Sequence, residues 1–244
     1  MEIKILLLGH KGMLGHMVFK YLKTKGLNIE TTDLRWPSNE FKDYIKNFNG
    51  EFIINCIGAI HQRTSNFDVN WELPIFLDFY SSCNIIHPGT DCEMDSDNYG
   101  ISKKIARDFI VNTSSKTKSI KTSILGPELN TKASLMEWFL SNEDDSTVFG
   151  YSKYYWNGNT TLTWADQSYL LINYWDTYDK ETILSSNCIS KKEILESIND
   201  VFSRKINIIP KDDVEFSKCL EGDIITPHIK EQLKQLKEFY YDNN

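Results

Sequence analysis

The stretch "IKILLLGHKGMLGHMVFKYL", residues 3–22, decides the fold. An apolar run that suits a buried strand ends at Gly9, and Gly12 and Gly15 follow at three-residue intervals before a segment that suits a helix. Such a glycine-rich turn lets a pyrophosphate approach the main chain and lie at the helix N terminus. The stretch predicts a nucleotide-binding loop, with a plain glycine-rich turn as the alternative.

Short apolar runs alternate with helical segments on either side of this loop. The N-terminal half predicts strands at 3–9, 27–32, 52–58, 84–89 and 120–126, and helices at 13–25, 39–48, 71–82 and 100–113. Beyond it, the patterns predict helices at 132–141, 163–175 and 226–240, a helix opened by a Ser190–Glu193 capping box, and strands at 182–188 and 206–210.

Near-continuous apolar strands separated by helices are typical of a parallel sheet covered on both faces. We therefore expect an α/β protein with a Rossmann-like, doubly wound parallel sheet. Residues 1–126 are predicted to form the dinucleotide-binding domain, and 127–244 a smaller C-terminal substrate-binding lobe, interleaved with it.

Composition excludes several classes of function. The 244 residues carry a net charge of -7, which argues against binding to nucleic acid. The first apolar run is cut by Gly9 well short of a membrane span, so we expect a cytoplasmic protein without a membrane partner. Five cysteines without a CxxC pair suggest reduced, mostly buried thiols. The histidines and cysteines show no ligand spacing, and no metal is expected.

The residues after the second predicted strand bear on the choice of cofactor. Asp33, eighteen residues after Gly15, suits a ribose 2′-hydroxyl and favours NAD(H). Lys11 and Arg35 suit the 2′-phosphate of NADP(H). NADP(H) is the expected cofactor, and NAD(H) stays open as the alternative.

A second candidate site follows the strand at 84–89. Thr90 ends that strand, and Tyr99 and Lys103 lie four residues apart at a helix start, so they share a face. A neighbouring ammonium is expected to lower the pKa of the phenol and suit it to proton transfer. The alternative is a structural hydroxyl beside an exposed, ion-paired helix, and we expect such a solvated face for the second Tyr-x-x-x-Lys copy, Tyr21 and Lys25.

Taken together, these motifs resemble the extended short-chain dehydrogenase/reductases, and within them the dTDP-4-dehydrorhamnose reductase-like branch, which reduces nucleotide-linked 4-keto-6-deoxy sugars. The resemblance covers nearly the whole chain. It is carried by "LLLGHKGMLG", "FIINCIGAI", "PGTDC", "DNYGISK", "TSILGPELNTKASLMEWFL", "VFGYSKYYWNGNTTLTWAD" and "CISKKEILESINDVF".

The resemblance implies a role for each matching residue. Tyr99 would protonate the C4 oxygen of a nucleotide-diphosphate sugar, Thr90 would bind that oxygen, and Lys103 would hold the nicotinamide ribose. The implied cofactor contacts are Gly9, Lys11, Gly12, Met13, Leu14, Gly15, Asp33, Arg35, Cys56, Gly58, Tyr99 and Lys103. The implied substrate contacts are Glu128, Trp156, Asn157, Gly158 and Thr161.

The chain also departs from the pattern of that branch. Only eight residues separate Thr90 from Tyr99, and Cys92 stands where the branch carries an aromatic residue. A shortened loop removes part of the wall around the sugar, which leaves open a different substrate or a cofactor-binding regulatory subunit without activity. The resemblance also allows a homodimer, and the sugar and its nucleoside stay undetermined.

Overall fold

The computed structural model describes residues 3–242. The chain divides into two compact units. The first contains the residues up to Lys121 together with Ala165–Thr182, and the second contains Thr122–Trp164 and the residues from Ile183 onward. The chain thus crosses between the units three times, after Lys121, Trp164 and Thr182, whereas the sequence predicted one approximate boundary after residue 126.

The elements follow one another as short strands and helices. The strands are β1 (Lys4–Leu8), β2 (Asn28–Thr31), β3 (Phe52–Asn55), β4 (Asn84–Gly89), β5 (Thr117–Lys121), β6 (Ile124–Leu125), β7 (Thr147–Tyr151), β8 (Tyr154–Trp156), β9 (Asn159–Thr160), β10 (Glu181–Ser185), β11 (Ile189–Ser190), β12 (Asn207–Lys211), β13 (Phe216–Ser217) and β14 (Ile224–Ile225). The helices are α1 (Met13–Thr24), α2 (Asn39–Asn47), α3 (Val69–Tyr80), α4 (Asn98–Asn112), α5 (Leu135–Leu140), α6 (Thr161–Asn173), α7 (Lys191–Val201) and α8 (Ile229–Lys237). Single turns of 3₁₀-helix cover Asp91–Met94 and Trp175–Thr177, and a π-helical turn covers Glu238–Asp242.

The main sheet confirms the predicted doubly wound fold. Its strand order is β14-β10-β5-β4-β3-β1-β2, and the pairs from β5 through β2 are parallel. The strand order reverses between β1 and β3, and ligands of open parallel sheets bind at the carboxyl edge beside such a reversal. Gly9 follows β1, Cys56 follows β3 and Thr90 follows β4, so all three lie at this edge.

The core explains why the apolar runs become central strands. Leu6 and Leu8 of β1 pack with Ile53 of β3 and with side chains of α2 and α3. Burying each such side chain contributes about 1.5–3 kcal/mol relative to leaving it exposed. A strand buried on both faces has no polar alternation, which is the pattern that the first residues display.

The second unit is built from small sheets and two packed helices. Its sheets are β11-β8-β13, β12-β7 and β6-β9. The predicted strand at 206–210 corresponds to β12 (Asn207–Lys211), whereas the two- and three-residue strands of the other two sheets left no periodic signal in the sequence. The expected capping box at the start of α7 is present, with the Ser190 hydroxyl accepting from the Glu193 amide at 3.2 Å. Within the same unit, Gln232 of α8 donates to Asn159 Oδ1 at 3.0 Å and accepts from the Thr160 amide at 2.9 Å.

Two cysteines are paired, which corrects the expectation of five reduced thiols. Cys188 and Cys219 form a disulfide with 5.9 Å between their Cα atoms. Cys188 precedes β11 and Cys219 follows β13, and both strands pair with β8, so the three-stranded sheet brings together two residues that are 31 positions apart. Cys83 is a buried thiol, and Cys56 and Cys92 are partly buried thiols.

The helices and the metal-ligating side chains of residues 3–242 bear on membranes and metals. None of the helices there combines the length and the apolar character that crossing a bilayer requires. The same residues contain no group of three or more His, Cys, Asp or Glu side chains arranged to hold a metal ion.

Candidate active site

The glycine loop is a closely packed turn at the start of α1. The Gly12 amide donates to the Gly9 carbonyl at 2.9 Å, and a Cβ on Gly15 would overlap that same carbonyl oxygen. Gly9 has a φ of +76°, and a Cβ there would lie 2.8 Å from the Cys56 carbonyl carbon. The backbone therefore requires glycine at both positions, as the sequence indicated.

The N terminus of α1 is suited to an anion. Gly12 is the N-cap residue and no side chain caps the helix, while the first main-chain amides of a helix lack partners within it. These amides belong to Met13 and Leu14, and the partial positive charge of a helix N terminus favours phosphate there. The loop thus fits the pyrophosphate of a dinucleotide.

Lys11 and Asp33, two predicted cofactor contacts, lie together. Lys11 Nζ is 2.7 Å from Asp33 Oδ1 and 2.8 Å from Oδ2, and His10 Nε2 lies 3.7 Å from Oδ1. The hydrogen bond from Lys11 holds the pKa of Asp33 below its usual value, and the charge of Arg35 acts in the same direction. Asp33, which suits NAD(H), therefore lies beyond β2 together with Lys11 and Arg35, which suit NADP(H). The residues that support each of the two cofactors are present at the same place.

Thr90 and Tyr99 are in direct contact. Tyr99 lies in the first turn of α4, whose N-cap Asp97 accepts from the Gly100 amide at 2.7 Å. The Thr90 side chain is close enough to Tyr99 to lower the pKa of the phenol, and the Thr90 hydroxyl itself donates to Asp91 Oδ1 at 3.0 Å. The Tyr99 ring packs against the rings of His61 and Phe67, with centroids 5.2 Å and 5.7 Å away. Tyr99 is thus held in a partly buried position at the carboxyl edge of the sheet.

The expected lowering of the Tyr99 pKa is not found. Burial raises this pKa, the charges of Cys92 and Asp91 raise it further, and the hydrogen bond with Thr90 only partly opposes them. Near neutral pH the Tyr99 side chain is accordingly a phenol that can donate a proton. The sequence argument was wrong here because it counted the ammonium four residues away and could not count burial.

Lys103 lies four residues after Tyr99 on α4 and is 8% exposed. A Cβ on Gly58 would be 3.7 Å from Lys103 Nζ, so the chain after β3 passes close to the ammonium. Burial lowers the pKa of Lys103, and the negative charge of Glu93 opposes that effect. Cys56 also faces this charge, and burial raises the pKa of its thiol. Cys56 and Gly58 therefore lie close to Lys103, and the role of all four predicted residues as cofactor contacts stays a prediction.

Three buried polar side chains support this arrangement and were missed from the sequence. Asn70 of α3 accepts from the Ala59 amide at 2.7 Å and donates to Ser102 of α4 at 3.1 Å. Asn55 Nδ2 lies 3.3 Å from Nδ1 of His87. Burial holds the pKa of His87 well below its usual value, and the charge of Lys103 lowers it further. The signal that could have revealed these buried polar side chains is a single asparagine or histidine within a mostly apolar stretch.

The predicted substrate contacts in the second unit make internal contacts. Asn157 donates to the Leu220 carbonyl at 2.8 Å and accepts from its amide at 2.9 Å. Trp156 is buried, and a Cβ on Gly158 would overlap its ring. Thr161 is buried beside Gly126, and the Glu128 carboxylate accepts from the Ala133 and Ser134 amides. Their role toward a substrate stays a prediction.

Comparisons with known proteins agree on the fold. No protein-family model and no curated protein matches the sequence. A dTDP-4-dehydrorhamnose reductase from Clostridium acetobutylicum matches in structure with a TM-score of 0.75 at 18% identity, over 97% of this chain and 99% of that one. The corresponding enzyme from Bacillus anthracis, in complex with NADP, gives 0.75 at 13% identity over 97% and 99%. A GDP-mannoheptose C4 reductase from Campylobacter jejuni, with NADP bound, gives 0.70 at 11% identity over 98% of each chain.

The fold and the glycine loop define the class of this protein as α/β with a Rossmann-like sheet. More particularly, the chain has the fold of the dTDP-4-dehydrorhamnose reductases and of related nucleotide-sugar enzymes along nearly its full length. The structural likeness implied by the sequence motifs is thereby confirmed at the level of the fold.

Proposed function

We propose that this protein is an NAD(P)H-dependent reductase that acts on the 4-keto group of a nucleotide-linked 6-deoxy sugar. The observation that carries the proposal is the contact of Thr90 with Tyr99, with Lys103 buried behind them, at the sheet edge that also holds the glycine loop. A proton donor beside a dinucleotide loop is the arrangement that carbonyl reduction requires.

The residues at the edge of the sheet fit a dinucleotide. The glycine turn and the uncapped start of α1 suit its pyrophosphate, and Lys11 and Arg35 suit a 2′-phosphate. NADP(H) is the proposed cofactor, with NAD(H) as the alternative that Asp33 supports, and two of the structural matches contain NADP. When bound, the cofactor supplies the hydride.

Each residue of the trio has a distinct task in this proposal. Tyr99, kept as a phenol by burial, donates its proton to the C4 oxygen as negative charge develops there. Thr90 hydrogen-bonds the same oxygen and orients it. Lys103 binds the nicotinamide ribose through its buried ammonium.

The substrate class follows from the same resemblance. The proposed substrate is a nucleotide-diphosphate sugar, as the names of the structural matches indicate for those enzymes. The proposed setting is cytoplasmic synthesis of a deoxysugar for surface glycans, and a homodimer is the proposed assembly. The five residues around Asn157 and Glu128 stay the predicted sugar contacts.

The test is a turnover assay with a panel of substrates. UDP-, GDP- and dTDP-linked 4-keto-6-deoxyhexoses are each offered with NADPH or NADH, and cofactor oxidation is followed at the nicotinamide absorbance. We expect the cofactor to be oxidised with at least one of the sugars. In Tyr99→Phe this oxidation should be lost, while NADPH binding, followed by fluorescence, should persist. Binding of NADPH without turnover on any sugar would contradict the proposal.

One observation favours a second candidate, a cofactor-binding regulatory subunit without activity. Both polar groups of the Asn157 amide are committed to the Leu220 main chain, and the loop from Thr90 to Tyr99 is short. A regulatory subunit needs the glycine loop and no sugar contacts. In the assay above, this candidate predicts cofactor binding with the same affinity in the wild type and in Tyr99→Phe, and no turnover in either.

A further inference from the structure

A buried ion pair lies directly beneath the Thr90–Tyr99 contact. Glu93 Oε2 is 2.6 Å from Lys121 Nζ, and their side chains are only 3% and 9% exposed. Glu93 belongs to the 3₁₀ turn that follows Thr90, and Lys121 ends β5 beside Gly89 of β4. A Cβ on Gly89 would meet the Lys121 side chain at 2.9 Å, so glycine at this position lets the lysine pass to Glu93.

The second carboxylate oxygen of Glu93 holds the main chain of Thr90. The Thr90 amide donates to Glu93 Oε1 at 3.0 Å, and the Thr90 side chain accepts in return from the Glu93 amide. This reciprocal arrangement is a capping box. Lys121 therefore fixes Glu93, and Glu93 fixes the residue that contacts Tyr99.

Removing one partner of a buried ion pair leaves the other charge uncompensated, which lowers the stability of the folded protein. Two apolar side chains would fill the same volume without burying any charge. The cap alone needs no charge, because a neutral acceptor would serve the Thr90 amide equally. The charge on Glu93 has a further neighbour in the buried ammonium of Lys103, which it acts upon through space. A role in the site explains the retention of charge better than stability does.

We propose that Glu93, held by Lys121, is a positioning residue of the reductase site that sets the place of Thr90 and compensates the buried charge of Lys103. The inference rests on the proposed function, because it concerns the same trio. Burial raises the pKa of Glu93, and Lys121 and the Thr90 amide oppose that rise only in part. Glu181 lies 3.9 Å from Lys121 and bonds to Arg107, so a second carboxylate faces the same lysine from β10.

The pH dependence of the site follows from the groups that surround Tyr99 and Lys103. The Glu93 carboxylate raises the pKa of both, so removing its charge lowers both. Loss of either proton ends the proposed proton transfer. The titratable and charged groups that face the pair from neighbouring elements are Asp91, Cys92, Glu93, Cys56, His61, His87, Asp97 and, behind Glu93, Lys121 and Glu181.

The test is Glu93→Gln, which keeps an acceptor for the Thr90 amide and removes the charge. We expect kcat near neutral pH to fall about 10-fold, the KM for NADPH to stay unchanged, and the alkaline limb of the kcat profile to move to lower pH. Glu181→Gln is the matched control, because it removes a carboxylate from the same lysine without touching Thr90, and it leaves the alkaline limb in place. If Glu93→Gln lowers the melting temperature but leaves the alkaline limb of the kcat profile where it is in the wild type, the proposal is overturned.

A measurement without substrate separates this proposal from the proposed function. The Lys103 side chain is titrated by 13C NMR in protein labelled at lysine Cε, with its signal assigned by its absence in Lys103→Met. We expect Lys103 to lose its proton at lower pH in Glu93→Gln than in the wild type, whether or not any sugar is turned over. Identical titrations would overturn the inference, and should the single variant not fold, Glu93→Gln combined with Lys121→Met removes both charges and is measured in the same way.

Discussion

The chain carries the same Tyr-x-x-x-Lys spacing twice, on α1 and on α4, and the first unit treats the two copies differently. Tyr21 donates a hydrogen bond to Asp166, and exposed Lys25 lies over the Tyr21 ring at 4.8 Å from its centroid. Tyr99 instead contacts Thr90, with its lysine buried behind it. The expected solvated face is correct for Lys25 and wrong for Tyr21, whose hydroxyl is bound.

The comparison shows which features turn a common spacing into a candidate site. Burial raises the pKa of both tyrosines, and at Tyr21 the bond to Asp166 adds to the effect. A phenol whose proton is already given to a carboxylate has none to offer a ligand. Within residues 3–242, Tyr99 has no such bond to a carboxylate, and it lies at the ligand-binding edge of the sheet, so its proton stays available.

The largest expected difference is at the two phenols. Tyr99→Phe should lower kcat about 10³-fold, because it removes the proton donor, as measured by NADPH oxidation with whichever keto-sugar is turned over. Tyr21→Phe should leave kcat unchanged and cost about 1 kcal/mol of unfolding free energy through the lost bond to Asp166. Equal losses of kcat would break the distinction between the two copies.

The two lysines should differ next. Lys103→Met is expected to lower kcat about 100-fold and to weaken cofactor binding, because the buried ammonium is proposed to hold the ribose. Lys25→Met loses two cation–π contacts at an exposed position, with Tyr21 and Tyr169, each worth about 1 kcal/mol or less, and should bind NADPH as the wild type does. Titration calorimetry with NADPH measures the cofactor affinity of each variant, and an undiminished affinity in Lys103→Met would remove Lys103 from the site.

Two glycines sharpen the comparison at the ends of α1. Gly15→Ala would push a methyl group into the Gly9 carbonyl, so we expect NADPH affinity to fall at least about 10-fold, or about 1.4 kcal/mol. Gly26 has a φ of +73° with open space around it, and Gly26→Ala should cost about 1–2 kcal/mol of stability without changing affinity. Intact affinity in Gly15→Ala would argue for a plain turn.

The smallest effect is a pH dependence. Burial lowers the pKa of Lys103 and raises that of Tyr99, so as pH rises Lys103 loses its proton first. The rate should be full while Lys103 is an ammonium and should fall as pH rises through its lowered pKa. In a profile of kcat against pH, Lys25→Met should show the same alkaline limb as the wild type. A limb that moves in this variant would mean that Lys25, and not Lys103, is the group that titrates.

The local patterns predicted much of the first unit. The apolar runs became β1, β3 and β4, and α1 begins at Met13, directly after the glycine loop, as expected. The second unit was harder, because β6, β9, β13 and β14 have two residues each. Strands that short are stabilised by partners distant in the chain, so no period of two or 3.6 residues marks them.

The sequence by itself determined the sheet and the glycine loop, and it singled out Thr90, Tyr99 and Lys103 as the proposed trio, because each depends on residues close together in the chain. Only the tertiary structure decided that Tyr99 is a weak acid, that Cys188 pairs with Cys219, and that Glu93 meets Lys121. Those outcomes depend on burial and on contacts between residues about 30 positions apart. Electrostatic effects depend on the distance between charges and on their exposure to solvent, and the spacing of residues along the chain predicts neither.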